Sequence, residues 1–242
     1  MVELANPGPA FLGSNLTAPA NGQTMARATG VLFLVTYAGS IPAFFWFYAP
    51  ALTDPDFVLG QVFDRGIAIG AILELVVVFA NVATALTLYP LLKRRFPVLA
   101  LGYIAARLME SGLIAMGIIA MMALNTLRAE GGDPATLVMA GRALVALHDW
   151  TFRIGPGVVV GVGNGLMLGY MMWVSRAVPR ALSVLGLIGG PLIVVSGVLV
   201  VLGLVPAGGF VQIIATVPEF FWELFLGLWL VIRGMTLRNL SM

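Results

Sequence analysis

The sequence predicts an all-α integral membrane protein, a six-helix bundle with an additional interfacial helix before the fourth span. The composition points to this class, because 60% of the 242 residues are hydrophobic and only 10% are charged. The mean hydropathy of +1.01 is far above the range of soluble globular proteins. Six segments are apolar over about 20 residues, the length that a helix needs to cross the hydrocarbon core.

The predicted spans are separated by connections that carry turn-forming residues and charges. A basic turn at 93–95 follows the second span, and Pro206 with Gly208 follows the fifth. We predict spans over residues 28–49, 66–92, 98–124, 153–174, 181–205 and 209–232. The third connection is longer, and its apolar residues recur at helical spacing over 135–150. This pattern predicts an interfacial or re-entrant helix that leads into the fourth span.

The basic residues predict the orientation of the spans. Lys and Arg in short loops concentrate on the cytoplasmic side of a membrane. With the N-terminus inside, eight of these residues lie at the cytoplasmic ends of the spans and four at the opposite ends. We therefore expect both termini to be cytoplasmic. Residues 1–24, rich in Pro, Gly and Asn, are predicted as a disordered cytoplasmic tail, residues 25–235 as the transmembrane domain, and residues 236–242 as a short cytoplasmic tail.

The composition also excludes several kinds of function. The chain has no Cys and one His, so Cys-ligated metal centres and sites with several His ligands cannot form within one chain. We accordingly expect no metal site and no cofactor. The net charge of +2 comes from scattered basic residues, which gives no electrostatic footprint for nucleic acid. The expected partners are the lipid bilayer and a small solute, lipid or cation.

Five charged residues lie at membrane depth within the predicted spans. Such groups are costly in hydrocarbon, about 2.5–3.5 kcal/mol each on the insertion scale, so they face the bundle interior and pair or function there. Helical spacing places the polar residues of each span on one face, and four such faces converge near the middle of the membrane. The predicted ligand- or ion-binding residues are Glu74, Asn81, Arg107, Glu110, Asn164, Glu219 and Glu223.

The charges of this cluster do not balance. Four carboxylates against one guanidinium leave a net charge near −3 if all are ionised, which a low-dielectric interior cannot hold. Either two or more glutamates stay protonated or a cation occupies the site. Three interpretations stay open. The cluster is a structural network that fixes helix register, a site for proton- or cation-linked binding or translocation of a small solute, or the catalytic site of an enzyme acting on a lipid-like substrate.

Two further patterns allow more than one interpretation. His148 and Asp149 precede the fourth span, either as a helix start with an Asp149–Arg153 pair or as a gate or proton relay above the cluster. A stripe of glycines four residues apart marks one face of the same span: Gly157, Gly161, Gly165 and Gly169. That face packs against another helix in the bundle, packs across a homo-oligomer, or lines a cavity.

Three short motifs carry a family resemblance: Arg107-Leu-Met-Glu110, the stretch from Val178 to Gly186, and Pro218-Glu219-Phe-Phe-Trp-Glu223 with the following 227–230. With these motifs the chain resembles a bacterial family of multi-pass membrane proteins described as a domain of unknown function. The likeness covers roughly residues 25–235. The resemblance implies a location in the bacterial cytoplasmic membrane and implies no activity or ligand.

Overall fold

The computed structural model describes residues 21–240, and every regular element in that range is helical. Six stretches are long and apolar enough to cross a membrane, which confirms the predicted all-α membrane bundle. The helices are α1 (Gly22–Pro42), α2 (Ala49–Thr53), α3 (Arg65–Leu92), α4 (Pro97–Glu130), α5 (Pro134–Ile154), α6 (Gly169–Ser175), α7 (Arg180–Val201) and α8 (Phe210–Ile232). Three π-helical segments, π1 (Ala43–Phe47), π2 (Gly155–Val159) and π3 (Gly161–Leu168), and the 3-10 turns Phe57–Gly60 and Leu237–Leu240 complete the chain.

The fourth span is the longest continuous helical stretch, Pro134–Ser175, formed by α5, π2, π3 and α6. The additional helix predicted before this span is α5, which runs directly into it. This helix packs along α4, where Gly141 faces Leu124 and Gly117 faces Thr151. Small residues at both positions allow the two helices to approach closely.

The six spans form a ring around a central space. In order around the ring, α1 packs against α3, α3 against α4, and α4 against the fourth span. The fourth span then packs against α7, α7 against α8, and α8 back against α1. Every span therefore contributes one face to the interior of the bundle.

The two ends of the ring are fixed by different contacts. At the end that holds the described chain ends, the Gln23 side-chain amide donates to the Met235 carbonyl at 2.6 Å, and Thr236 N–H donates to the Ala177 carbonyl at 2.9 Å. We call this the terminal end. At the opposite end, the loop end, the Asp64 carboxylate caps α3 by accepting from two backbone N–H groups, and the Asn125 side chain bonds both backbone groups of Asp64.

The predicted tails meet the structure at their inner boundaries. Helix α1 begins at Gly22, inside the predicted tail 1–24, whose residues 1–20 lie outside the described residues. The predicted C-terminal tail, 236–242, contains the Leu237–Leu240 turn, and Leu240 is buried in the apolar core of the terminal end. Residues 241–242 lie outside the described residues.

The glycine stripe of the fourth span is used within the chain. Gly161 and Gly165 lie against Gly190 of α7, so closely that a Cβ on either glycine would collide with it. Gly157 lies against Gly197, and Gly169 against Gly186. Because α7 covers this face from end to end, the face is not available to a second copy of the chain. The expectation of a homo-oligomer through Gly157, Gly161, Gly165 and Gly169 is corrected accordingly.

Candidate functional site

A cavity of about 390 Å³ lies inside the ring. We call it the central cavity. Its walls are mostly apolar, and its charged and amide groups come from α3, α4 and α8. These groups are Glu74, Asn81, Arg107, Glu110, Glu219 and Glu223. The structure thus brings together six of the seven residues that the sequence predicts as ligand- or ion-binding.

Arg107 is the buried centre of one side of the cavity. Its Nη1 donates to Glu110 Oε2 at 2.7 Å, and its Nε donates to the Tyr103 hydroxyl at 3.2 Å. Its Nη2 lies 3.6 Å from Glu223 Oε1, which is an ion pair longer than a hydrogen bond. The guanidinium also lies over the Phe33 ring at 5.4 Å from its centroid, a cation–π arrangement. Neighbours on three helices therefore hold this side chain in place.

Glu110 is bonded at both carboxylate oxygens. Besides the Arg107 bond at Oε2, its Oε1 accepts from the Asn81 side-chain amide at 3.2 Å. These bonds stabilise the ionised form of a carboxylate, and charge-assisted hydrogen bonds are the stronger kind. The Arg107, Glu110 and Asn81 side chains form what we call the paired cluster.

Glu219 has very different surroundings although it lines the same cavity. Glu219 is 2% exposed, and neither of its carboxylate oxygens has a hydrogen-bond partner among residues 21–240. One oxygen lies beside Gly165 and Gly189, whose missing side chains leave room for it. Glu223, one turn away, has its Oε1 unbonded within the described part of the chain, apart from the long ion pair to Arg107.

Glu74 forms a second buried acidic position, on the side of the cavity nearer the loop end. It is 1% exposed, and its carboxylate makes no hydrogen bond within the described range. Tyr48, which follows the first span, lies close by. The Tyr48 hydroxyl has no hydrogen-bond partner within the described residues, so its proton is available on the loop-end side of Glu74.

His148 and Asp149, the predicted gate, lie next to this position rather than in the cavity wall. The His148 ring is fully buried, packs edge-on against Tyr48 with centroids 5.4 Å apart, and contacts Phe152, which does line the cavity. His148 Nδ1 is 3.9 Å from Asp149 Oδ1. Asp149 also accepts from Arg153 at 3.2 Å, which confirms the predicted i,i+4 pair.

Asn164 departs from the prediction. It is fully buried on π3, but it is not part of the cavity wall, and its side-chain amide has no partner within residues 21–240. Its backbone carbonyl accepts from the Trp222 indole at 3.0 Å instead. The prediction assumed 3.6 residues per turn, and the π-helical turns of π2 and π3 change the register of the side chains.

The sequence interpretation also missed Tyr48. No local pattern identifies this residue, because it lies beyond the end of the predicted polar faces and reaches Glu74 through the π1 turn. Metal binding gains no support, since no group of three or more His, Asp or Glu residues in the described range is arranged to hold an ion.

Comparison with known proteins gives one match. A family model described as Domain of unknown function (DUF4386) matches residues 28–234, which is most of the chain. The match confirms the resemblance to a family of that description. No curated protein and no solved structure matches the chain.

Proposed function

Because the chain belongs to this family, whose description names no activity, we propose its function from the central cavity. The protein binds a small solute there, and binding or translocation is linked to the protonation of Glu219 or to a cation that replaces the proton. The unbonded, buried carboxylate of Glu219 in the cavity wall is the observation that carries the proposal.

The charge balance supports this link. Arg107 compensates Glu110 at 2.7 Å and contributes to Glu223 at 3.6 Å. Glu74 and Glu219 then remain without a cationic partner at ion-pair distance in the described range. An isolated ionised carboxylate costs far more in a low-dielectric interior than the protein can supply, so each of these two groups must hold a proton or meet a cation.

The proposed route for protons begins at the loop end. The Asp149 side chain is 37% exposed and lies against His148, which packs on Tyr48, which in turn is next to Glu74. This series of neighbours extends from the surface to the cavity wall, and it gives His148 and Asp149 the role of a relay.

The proposed location is the bacterial cytoplasmic membrane, with both termini in the cytoplasm. The excess of Lys and Arg at the terminal end of the bundle supports this orientation. In this orientation the loop end, with His148 and Asp149, faces the outside, so the relay connects the cavity to the external side.

Infrared spectroscopy of the protein in lipid nanodiscs tests the protonation step. We expect absorption from protonated carboxylic acids at neutral pH, and the part that Glu219 contributes should be lost in Glu219→Gln and retained in the matched control Glu130→Gln, a change at the exposed end of α4. In proteoliposomes with an entrapped pH dye, solute addition should change the internal pH, and Glu219→Gln and Glu223→Gln should abolish the change. Wild-type behaviour in both variants would refute the proposal.

A second candidate is a membrane-embedded enzyme that uses a glutamate as general acid or base on a lipid-like substrate. The observation that favours it is that side chains exposed on the outside of the bundle, including Phe45, also line the cavity. Conversion of an extracted lipid by the purified protein, lost in Glu219→Gln, would support this candidate.

A further inference from the structure

The contact between α1 and α8 changes along its length. Near the terminal end, Gly30 and Gly227 bring the two backbones together, and a Cβ on Gly30 would lie 2.6 Å from the Gly227 carbonyl oxygen. Farther along, the Tyr37 hydroxyl donates to the Phe220 carbonyl at 2.7 Å, and the two rings meet edge to face. From Gly30 to Tyr37, the contacts between α1 and α8 therefore close the wall of the ring.

Beyond Tyr37 the two helices frame an opening. On the α1 side, Ile41 and Phe45 line the cavity although they are 38% and 64% exposed, and on the α8 side Phe220 lines it at 39% exposure. The first two turns of α8 are also largely exposed, with Ala215 the buried residue between Phe210 and Pro218. We call this opening the lateral mouth.

The lateral mouth faces hydrocarbon rather than water. Its frame belongs to two helices that are apolar enough to span a membrane, and the exposed side chains around it are aliphatic or aromatic. An exposed apolar rim at membrane depth contacts lipid chains. A ligand that passes the mouth therefore reaches the cavity from the bilayer.

The inside of the cavity is acidic and aromatic. Glu219 and Glu223 lie on α8 behind Phe220, and the rings of Phe44 and Phe152 form part of the remaining wall. Aromatic faces attract cations, and a cation would supply the charge that Glu219 lacks. An anionic group would be repelled by the carboxylates on α3, α4 and α8. The Arg107 guanidinium, which could attract it, is already paired with Glu110.

The titratable groups around Glu219 come from four helices. They are Glu74 of α3, Arg107 and Glu110 of α4, Tyr37 of α1 and Glu223 of α8. On π3 and α7 the neighbours of the Glu219 carboxylate are glycines. Glu110 and Glu223 already face Arg107, so Glu74 and Glu219 are the acids of this set without a cationic partner. Of these two, Glu74 lies nearer the loop end, whereas Glu219 directly precedes Phe220 of the lateral mouth on α8, so an incoming cation meets Glu219 first.

We propose that the central cavity binds an amphiphile with one cationic amine and an apolar body, which enters from the bilayer between α1 and α8 and pairs its ammonium group with Glu219. The inference rests on the proposed function and names its substrate class. The size agrees, since about 390 Å³ lies within the roughly 300–1,000 Å³ typical of small-molecule pockets.

Binding exchanges one charge for another. The ammonium group enters as R-NH₃⁺, the protonated Glu219 releases its proton, and the ammonium–carboxylate pair forms. One proton therefore leaves the cavity for each ammonium cation that binds, and the net charge inside the cavity is unchanged. Proton release and amine binding are two readouts of a single step.

Radiolabelled octylamine is the probe, with octanol and octanoate as matched ligands of the same chain length. We expect octylamine to bind the protein in nanodiscs about tenfold or more tightly than either analogue, and Glu219→Gln to lower its affinity by about tenfold or more. A pH dye should report about one proton released for each bound amine. Equal binding of octylamine and octanol, or equal binding to wild type and Glu219→Gln, overturns the inference.

A variant of the mouth tests the route. The Ile41→Trp variant places a larger side chain in the lateral mouth and should slow octylamine association several-fold. Val31→Trp is the control, since Val31 is an exposed residue of the same helix nearer the terminal end and is not part of the cavity wall. Equal association rates in the two variants overturn entry through the mouth.

The two proposals fail differently. If the infrared band of a protonated acid depends on Glu219 but octylamine does not bind, the protonation step stands and the amphiphile class is wrong. If octylamine binds through Glu219 without proton release and the infrared band is absent, a cation site exists but the proton linkage is wrong.

Discussion

Arg107 and Glu219 line the same cavity, but their surroundings differ. Arg107 and Glu110 have bonded partners on three sides, including Tyr103 and Asn81. Glu219 has no hydrogen-bond partner in the described range, and Glu74 resembles it in this respect. One region holds charges that compensate each other, and the other holds acids that nothing in residues 21–240 compensates.

The difference separates a structural role from a functional one. A bonded network fixes how helices pack, and its presence needs no ligand to explain it. A buried carboxylate without a partner lowers stability and contributes nothing to packing specificity. We therefore propose that the paired cluster fixes helix register and that Glu219 carries the solute chemistry, and mutations in the two regions should give opposite results.

The largest expected effect is the loss of the paired cluster. Arg107→Met leaves the buried Glu110 carboxylate without its cation, and breaking one partner of a buried ion pair costs about 3–5 kcal/mol. We expect the free energy of unfolding, measured by denaturant titration in detergent micelles, to fall by this amount. The double variant Arg107→Met/Glu110→Gln removes both charges and should recover much of the loss. A double variant that is less stable than the single one would contradict the pairing.

The next largest effect compares two buried asparagines. Asn81→Leu removes the hydrogen bond to Glu110 Oε1, and a bond to a charged group is worth about 1.5–3 kcal/mol. Asn164→Leu is the matched control, because the Asn164 amide has no partner within the described chain. We expect the unfolding free energy to fall more in Asn81→Leu than in Asn164→Leu. Equal losses would show that burial alone, and not the bond, determines the cost.

The convergence of the charged residues is the part of the site that the sequence could predict. Charges such as Arg107, Glu110 and Glu219 must face the interior of an apolar bundle, so their convergence follows from their cost in hydrocarbon. The positions of Asn164 and Tyr48 could not be predicted, since both depend on π-helical turns that arise from packing. The sequence also cannot distinguish the bonded Glu110 from the unbonded Glu219, because the partners come from other helices.

The boundaries of the helices show the same limit. The apolar pattern ends near residue 124, but α4 continues to Glu130 and stops where Gly131 has a φ of +71°. Residues 125–130 include four polar or charged side chains and are compatible with a helix, and α5 packs against α4. Apolar length therefore predicts where a span crosses the membrane, while the end of the helix depends on a glycine and on a neighbouring helix.

A smaller effect is expected at the second unbonded acid. Glu74→Met removes a buried carboxylate that makes no hydrogen bond within residues 21–240, so the unfolding free energy should stay the same or rise by about 1 kcal/mol. In Glu110→Met, the unfolding free energy should fall instead, because this variant leaves Arg107 without its hydrogen-bonded carboxylate. A loss in Glu74→Met as large as in Glu110→Met would remove the distinction between the two regions.

The smallest effect is expected outside the membrane, at the start of α5. Its pH dependence can be compared with that of the cavity. The backbone N–H and the hydroxyl of Thr136 both donate to the Asp133 carboxylate, at 2.9 and 2.8 Å, and these bonds lower the pKa of Asp133. A group with a lowered folded pKa stabilises the fold above its unfolded pKa, and this contribution is lost as the pH falls through the folded value.

We therefore expect the Thr136 amide resonance to shift with pH in the acid range, below the ordinary pKa of Asp near 3.9. Asp133→Asn is the control, since asparagine also caps helices but does not titrate, and its Thr136 resonance should not move. Proton uptake that persists in Asp133→Asn at neutral pH then arises elsewhere in the chain. We propose that the unbonded acids of the cavity exchange protons there, so the Asp133 cap and the cavity should respond in different pH ranges. A neutral-pH transition that disappears in Asp133→Asn would contradict this separation.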